Sequence, residues 1–191
     1  MNSEDEPADI YLKLENLQPT GSFKIRGAGN AISQIPSELL KRGVYTVSAG
    51  NMAQALAWHA RRLGVHCTVI VHDDAPSTKL AAIKRYGAET IPVPVEKAWE
   101  IATIGHYKPL EKSIFIHPFA NRDMIIGNGT AGLEILEDLP EVDTVIIPFG
   151  GGGLSAGIAS AIKSKKPHTR ILACEPETAA PLAASFAANS A

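Results

Sequence analysis

The sequence has few cysteines, little net charge and no long uninterrupted apolar run. Its two cysteines among 191 residues, Cys67 and Cys174, lie far apart in apolar segments, so we expect two buried thiols rather than a disulfide framework or a metal clip. The formal net charge is -2 and there is no basic run, which disfavours nucleic acid as a partner. Because no apolar run could span a bilayer and the N-terminus is acidic rather than signal-like, we expect a cytoplasmic protein without a membrane segment.

Short β-branched segments alternate with longer segments of helical periodicity. This alternation predicts an α/β fold with parallel sheets and helices on both faces. Strands are predicted at Ile10–Leu14, Val44–Val47, Cys67–Val71, Thr90–Val93, Ser113–His117, Thr144–Pro148 and Arg170–Cys174. Helices are predicted at Ser22–Gln34, Met52–Leu63, Ser77–Tyr86, Val95–Tyr107, Asp123–Leu139 and Leu154–Ser164, with C-terminal stops at Gly43, Gly64 and Gly87. The alanine-rich tail also has helical propensity.

Four consecutive glycines, Gly150 to Gly153, connect a predicted strand to a predicted helix. Glycine allows backbone N–H groups to converge on one point, and the following helix start adds a positive dipole, so this turn suits a phosphate group. The alternative is a flexible turn without a ligand. Neither the lysine and hydroxyl pair of a mononucleotide loop nor GxGxxG spacing is present, so the phosphate need not belong to a nucleotide.

Two more helix starts carry polar groups. Ser48 to Asn51 follows a predicted strand and offers a hydroxyl, backbone amides and a side-chain amide to an anionic or phenolic group, although capping alone would explain Asn51. In the segment PTGSFKIRGA, Ser22 is the predicted N-cap and Lys24 lies in the first helical turn.

Lys24 is the candidate nucleophile. Most lysines are solvated surface charges. A cation at a helix N-terminus opposes the dipole, however, and that field lowers the pKa of an amine, as burial would. A neutral amine forms an imine with an aldehyde. A phosphate-binding turn and such a lysine in one α/β chain suggest pyridoxal phosphate as the cofactor.

The segments SFKIRG, SAGNMAQ and GGGGL, in this order, resemble the serine/threonine dehydratase family of fold-type II pyridoxal phosphate enzymes. The resemblance covers residues 11–176 and implies two open, twisted, mostly parallel sheets flanked by helices. It implies a small domain at residues 44–118 and a larger, incomplete domain at residues 1–43 and 119–191. A homodimer acting on a small amino acid is also implied.

The resemblance assigns roles to the three motifs. Lys24 would hold the cofactor covalently, Phe23 would pack against its pyridine ring, and Asn51 would bond its 3-hydroxyl. The implied cofactor-binding residues are Phe23, Lys24, Asn51, Gly150, Gly151, Gly152, Gly153 and Leu154. The implied residues for the substrate carboxylate are Ser48, Ala49, Gly50 and Asn51.

The implied reaction is β-elimination of L-threonine or L-serine to 2-oxobutanoate or pyruvate and ammonia, with Lys24 removing the α-proton. An amino-acid racemase, a β-replacement synthase and an inactive fragment that only binds ligands remain open. Ile25 and Arg26 follow the lysine as in dehydratases, whereas synthase relatives typically have an acidic and a basic residue there. Racemase relatives have a serine at the position of Ala49, which favours elimination here.

Several positions depart from the family pattern. Met52 replaces a histidine of many relatives. Glu175 matches a glutamate of relatives with a divalent-cation site, but Pro181 replaces their second acidic ligand and the six histidines lack metal-ligand spacing, so we expect no metal. His117, at a predicted strand end, is a candidate for lining the cleft. The chain stops before the family residue that faces the pyridine nitrogen, so we expect weak or no turnover from these 191 residues alone.

Overall fold

The computed structural model describes residues 8–189, so the acidic start at residues 1–7 lies outside the described residues. The helices are α1 Lys24–Ser33, α2 Ser37–Leu40, α3 Asn51–Leu63, α4 Ser77–Arg85, α5 Val95–Ile104, α6 Arg122–Asp138, α7 Gly153–Lys165 and α8 Pro181–Ala188. The strands are β1 Val44–Val47, β2 Cys67–His72, β3 Glu89–Val93, β4 Ile114–Phe115, β5 Thr144–Pro148 and β6 Arg170–Cys174. Short 3-10 helices lie at Glu15–Leu17 and Lys108–Leu110.

The first sheet contains four parallel strands in the order β3-β2-β1-β4. Val44 in the central strand β1 is in register with Cys67 on one side and Ile114 on the other. Strands β1 and β2 are almost entirely buried, as expected for parallel strands covered by helices on both faces. All four strands therefore end at one edge of the sheet, where the loops after β1 and β4 are neighbours.

The second sheet pairs β5 with β6 in parallel, with Thr144 opposite Arg170. Helices α6 and α7 cover one face of β5, where Val145 and Ile147 are buried. On the other face Ile146 is 63% exposed. Both sheets confirm the predicted α/β class. Cys67 is buried as predicted, but the prediction for Cys174 is wrong: this thiol is exposed because no described segment covers it at the end of β6.

Helices α1, α6 and α7 pack at backbone contact through glycines. A Cβ atom added to Gly127 in α6 would lie 2.5 Å from the carbonyl oxygen of Arg26 in α1. A Cβ atom added to Gly157 in α7 would overlap the carbonyl oxygen of Ile125 in α6. Because only glycine permits such approaches, these positions fix how closely α1 and α7 lie on either side of α6.

An ion-pair network joins the segment before α1 to α1 and α6. The guanidinium of Arg26 donates to both carboxylate oxygens of Glu15 at 2.8 and 2.9 Å and to both of Glu134 at 2.6 and 2.7 Å. Lys13 pairs with Glu134 at 2.9 Å and with Asp138 at 2.8 Å. Hydrogen bonds from Arg26, followed by those from Lys13, lower the pKa of Glu134 to about 2. The network anchors α1 near its N-terminus.

Several local predictions were wrong. Ile10–Leu14 forms no strand, and Ile10 is 83% exposed, since no described strand lies beside it. The predicted caps Ser22 and Asn51 form no side-chain capping bond. Phe23 and Gly50 occupy the N-cap positions of α1 and α3 instead.

The sequence predicted that most of the glycines discussed here end helices or turns. Gly43, Gly64 and Gly87 all have positive φ, which confirms their placement at helix or turn ends. Helix α5 ends at Ile104 rather than Tyr107, because Gly105 adopts the left-handed conformation with φ of 71°. Within residues 8–189, none of the helices combines the length and the apolarity needed to cross a bilayer.

Candidate active site

The side chain of Lys24, at the first position of α1, points into the protein. Its Nζ atom donates a hydrogen bond of 2.5 Å to the carbonyl oxygen of Pro118 and lies 5.3 Å from the centroid of the Phe23 ring. Burial lowers the pKa of Lys24 from 10.5 to about 8. The sequence analysis predicted a lowered pKa for Lys24 from the helix dipole, with burial acting in the same direction. In the structure, burial is the cause of the lowered pKa. A substantial fraction of this amine is neutral near physiological pH, as a nucleophile requires.

The turn at residues 117–120, which supplies the acceptor for Lys24, follows β4. Nδ1 of His117 accepts hydrogen bonds from the backbone N–H groups of Phe119 at 3.2 Å and Ala120 at 2.9 Å. The imidazole meets the Phe119 ring edge-on with the centroids 4.5 Å apart. Burial lowers the pKa of His117, a hydrogen bond to the backbone of Ala102 partly opposes this shift, and the charge of Lys24 adds to it, so the ring is neutral at physiological pH.

The glycine turn between β5 and α7 packs against this same segment. Gly152 has a φ of 79°, and a Cβ atom on Gly153 would lie 2.6 Å from the carbonyl oxygen of Phe119. A Cβ atom on Gly151 would overlap the Phe119 ring, whereas one on Gly150 would meet nothing within 4 Å. Phe119 therefore links the glycine turn to the Lys24 acceptor.

Backbone donors of the glycine turn are available to a ligand. Among the residues that the structure describes, no hydrogen bond uses the N–H groups of residues 150–154 as donors. These groups precede and begin α7, a helix of 13 residues whose dipole places positive potential at this end. The arrangement suits an anion of the size of a phosphate.

The Ser48–Asn51 loop follows β1, which neighbours β4 in the sheet. Gly50 donates its N–H to Ser48 Oγ at 3.1 Å, and Ala49 is buried. Asn51 begins α3 and is exposed, and its side-chain amide makes no hydrogen bond within residues 8–189. Parallel pairing of β1 with β4 brings this loop to the same sheet edge as the 117–120 turn.

Two hydroxyls that precede Lys24 in the sequence are buried without a partner in the part of the chain that the structure describes. The Oγ1 atom of Thr20 and the Oγ atom of Ser22 are buried without a hydrogen-bond partner among the described residues. Since a buried polar atom without a partner is unfavourable, such atoms are typical of a site that a ligand or water completes.

Two features of this site were missed from the sequence. Pro118 and Phe119 were not singled out, although a proline and an aromatic residue directly after a predicted strand end were a usable signal. Asn128 in α6 is fully buried, and its Nδ2 atom donates to the carbonyl oxygen of Gly153 at 3.2 Å. This contact holds the start of α7 against α6.

Glu175 has a local structural role. Its carboxylate accepts hydrogen bonds from the N–H groups of Leu182 at 2.7 Å and Ala183 at 3.1 Å, which caps α8. No group of three or more metal-ligating side chains occurs in the part of the chain that the structure describes.

Comparison with known proteins identifies the family. A family profile described as pyridoxal-phosphate dependent enzyme matches residues 2–191. The chain belongs to this family. Members of the pyridoxal-phosphate dependent enzyme family share the cofactor that the sequence predicted.

Individual members of the family show how similar this chain is to known enzymes. The chain is 42% identical to an L-threonine ammonia-lyase of Thermotoga maritima over 186 residues, covering 96% of this chain and 46% of the relative. It resembles the structure of serine racemase from Dictyostelium discoideum with a TM-score of 0.84 and 42% identity, covering 93% and 58% of the two chains. For the processed form of threonine deaminase isoform 2 from Solanum lycopersicum the TM-score is 0.85 and the identity 34%, covering 93% and 49%. The chain thus spans about half the length of the curated relatives it matches.

Proposed function

We propose that this chain carries the cofactor-binding lysine of a pyridoxal phosphate-dependent dehydratase. It would convert L-threonine or L-serine to 2-oxobutanoate or pyruvate and ammonia. The observation that carries the proposal is Lys24: a buried amine with a pKa of about 8, linked through Pro118 and Phe119 to a glycine turn with unused backbone donors. The relatives named threonine ammonia-lyase and threonine deaminase support this reaction.

The residues present fit pyridoxal phosphate. Lys24 would hold its aldehyde carbon covalently, while the N–H groups of Gly150 to Gly153 and Leu154 would bind its phosphate. Gly150 offers the open space that a phosphate needs, because a Cβ atom there would meet no protein atom. Phe23 beside Lys24 would pack against the ring, and the free amide of exposed Asn51 would bond the ring hydroxyl.

The chemistry follows from the properties of these side chains. When bound, pyridoxal phosphate supplies an electron sink for negative charge at the substrate α-carbon. Lys24, once its amine is free and neutral, would take the α-proton at Nζ as general base. Its partial burial limits the access of water to that nitrogen, and its lowered pKa raises the neutral fraction at physiological pH.

The Ser48–Asn51 loop would fix the other end of the substrate. The hydroxyl of Ser48 and the N–H groups of Ala49 and Asn51 would bind the carboxylate at the start of α3, where the helix dipole favours an anion. The N–H group of Gly50, which donates to Ser48 Oγ in this structure, would join them once it is released from that bond. Binding the carboxylate there would orient the α-hydrogen towards Lys24.

A racemase is the second candidate, favoured by the similarity to the serine racemase of Dictyostelium discoideum. Racemisation requires an acid on the face of the substrate opposite the lysine. The buried methyl group of Ala49, at the position of the racemase serine, cannot transfer a proton. Elimination is therefore the better supported outcome.

Three further proposals concern the whole protein. The small domain would comprise residues 44–118, which include all four strands of the first sheet, and the larger domain residues 1–43 and 119–191. We propose a homodimer, as the family resemblance implies. A cytoplasmic location is proposed because free amino acids and reduced thiols such as buried Cys67 are typical of that compartment.

Covalent attachment to Lys24 tests the function directly. The protein is mixed with pyridoxal phosphate, reduced with borohydride and digested, and the modified lysine is identified by mass spectrometry. We expect the label on Lys24, its loss in Lys24→Ala, and its retention in Lys79→Ala, which changes an exposed lysine. A label that persists on another lysine in Lys24→Ala contradicts the proposal. Formation of 2-oxobutanoate from L-threonine is then measured with the same variants.

A further inference from the structure

The turn at residues 117–120 contacts both ends of the candidate site. The carbonyl oxygen of Pro118 accepts the hydrogen bond from Lys24 Nζ at 2.5 Å. One residue further, the carbonyl oxygen and ring of Phe119 occupy the space that side chains on Gly153 and Gly151 would need. The position of this turn therefore sets both where the free lysine amine rests and how the glycine turn packs.

One side-chain atom accepts two hydrogen bonds from the backbone of the turn. Two consecutive backbone N–H groups, of Phe119 and Ala120, donate to Nδ1 of His117 at 3.2 and 2.9 Å. Because Nδ1 accepts both bonds, it carries no proton, and the neutral ring has its proton on Nε2. The ring is further held edge-on by Phe115 and Phe119, at centroid distances of 5.9 and 4.5 Å. The imidazole is thus fixed in one tautomer and one orientation.

We propose that His117 is a positioning residue for Lys24. Its Nδ1 atom fixes the 117–120 turn, so that the Pro118 carbonyl holds the free amine of Lys24 in a partly buried position. This inference rests on the proposed function only in taking Lys24 as the reacting amine. His117 need not contact the cofactor or substrate to act in this way.

Two kinds of variant separate this role from simple packing. His117→Asn places an amide oxygen near the position of Nδ1 and so keeps the acceptor while losing the ring. His117→Leu keeps much of the volume and removes the acceptor, leaving two backbone N–H groups without their partner. If His117 positions the turn, Asn should behave like His. If His117 only fills space, His117→Leu should resemble the unchanged protein more closely than His117→Asn does.

The measurement is the pH profile of Lys24 reactivity in the full chain freed of cofactor. Competitive acetylation over a series of pH values, read by peptide mass spectrometry, gives the titration midpoint of an individual lysine. Exposed Lys79 serves as the internal reference. For the unchanged protein we expect a Lys24 midpoint at a pH of about 8. Thermal unfolding of each variant identifies the temperature range in which all of them are folded.

We expect His117→Asn to keep the Lys24 midpoint and His117→Leu to raise it, because a released turn admits water and restores the solvated amine. The neutral fraction of Lys24 at pH 8 should fall about fivefold or more in the Leu variant. If that variant does not fold, His117→Gln, which moves the acceptor to the outer ring position, should show the same rise. A midpoint unchanged in Leu or Gln, or raised equally in Asn, overturns the inference.

The outcome is independent of the proposed reaction. Failure of the function appears as no borohydride-trapped cofactor on Lys24 of the unchanged protein, while the midpoints still report on His117. If the inference fails, the trapped label on Lys24 is normal, and the titration midpoint of Lys24 is the same whether or not the side chain at position 117 has an acceptor.

Discussion

Alanine at Gly153 tests whether the packing of the glycine turn on Phe119 determines its conformation. The added Cβ atom would lie 2.6 Å from the carbonyl oxygen of Phe119 and 3.4 Å from its carbonyl carbon, and neither backbone atom can turn away as a side chain could. Overpacking of this kind costs ~1–3 kcal/mol. The gain in helix propensity at the first position of α7 offsets part of it, at most ~1 kcal/mol.

Gly150→Ala is the matched control, because the same methyl group there meets no protein atom within 4 Å and the backbone φ is not positive. Without cofactor, Gly150→Ala should stay within about 0.5 kcal/mol of the unchanged protein. A net loss of about 1–2 kcal/mol in Gly153→Ala should lower its melting temperature by ~2–8 °C for a domain of this size.

The assay is thermal unfolding followed by circular dichroism, repeated with saturating pyridoxal phosphate. With cofactor, Gly150→Ala should lose most of the ligand-induced rise in melting temperature, since its methyl group enters the proposed phosphate space. Equal melting temperatures of the two variants without cofactor would refute the packing argument. An undiminished rise in Gly150→Ala would refute the phosphate site.

Three further results are expected. The rate of covalent cofactor attachment to Lys24, followed by absorbance, should increase with pH through a midpoint of about 8, and a midpoint near 10.5 would mean that the amine is solvated. The pKa of Glu134 is about 2 when folded against an ordinary value of 4.5, so its stabilising effect is fully present above pH 4.5 and lost as the pH falls towards 2. Urea unfolding should therefore show Glu134→Gln to be destabilised at pH 7 and progressively less so in acid, whereas Glu137→Gln, at an exposed site on the same helix, should differ little at any pH. In a protein with dehydratase activity, Ala49→Ser should raise D-serine formed from L-serine relative to pyruvate, as chiral chromatography can measure, and abundant D-serine before the substitution would favour the racemase.

The parts of the site that depend on local chemistry could be predicted from the sequence. Four glycines after an apolar strand permit few structures other than a tight turn with free amides, and a lysine at a helix start is unusual enough to be informative. Neighbours in sequence determine both features. The same holds for Gly43, Gly64 and Gly87, whose left-handed conformations end helices or turns.

Features that depend on distant partners could not be predicted. The position of His117 at a predicted strand end made it a candidate for lining the cleft, but the contact between Pro118 and Lys24 joins residues more than ninety positions apart. Local propensity suggested a strand at Ile10–Leu14, but a strand also needs a neighbour, and no described strand lies beside it. Ser22 has the composition of a cap, yet its hydroxyl is buried without a partner because the helix begins after Phe23.

The glycine contacts among α1, α6 and α7 determine which changes the candidate site can tolerate. Lys24 begins α1, and the glycine turn leads into α7, so the two ends of a bound cofactor would be held on two helices that both pack against α6. The contact with α1 is made through Gly127 of α6, and the contact with α7 through Gly157 of α7. Backbone contact, rather than the size of side chains, sets the distance between those ends. The outward faces of these helices can therefore vary in sequence while the span available to the ligand stays constant. A single methyl group at either glycine would instead separate the two anchors.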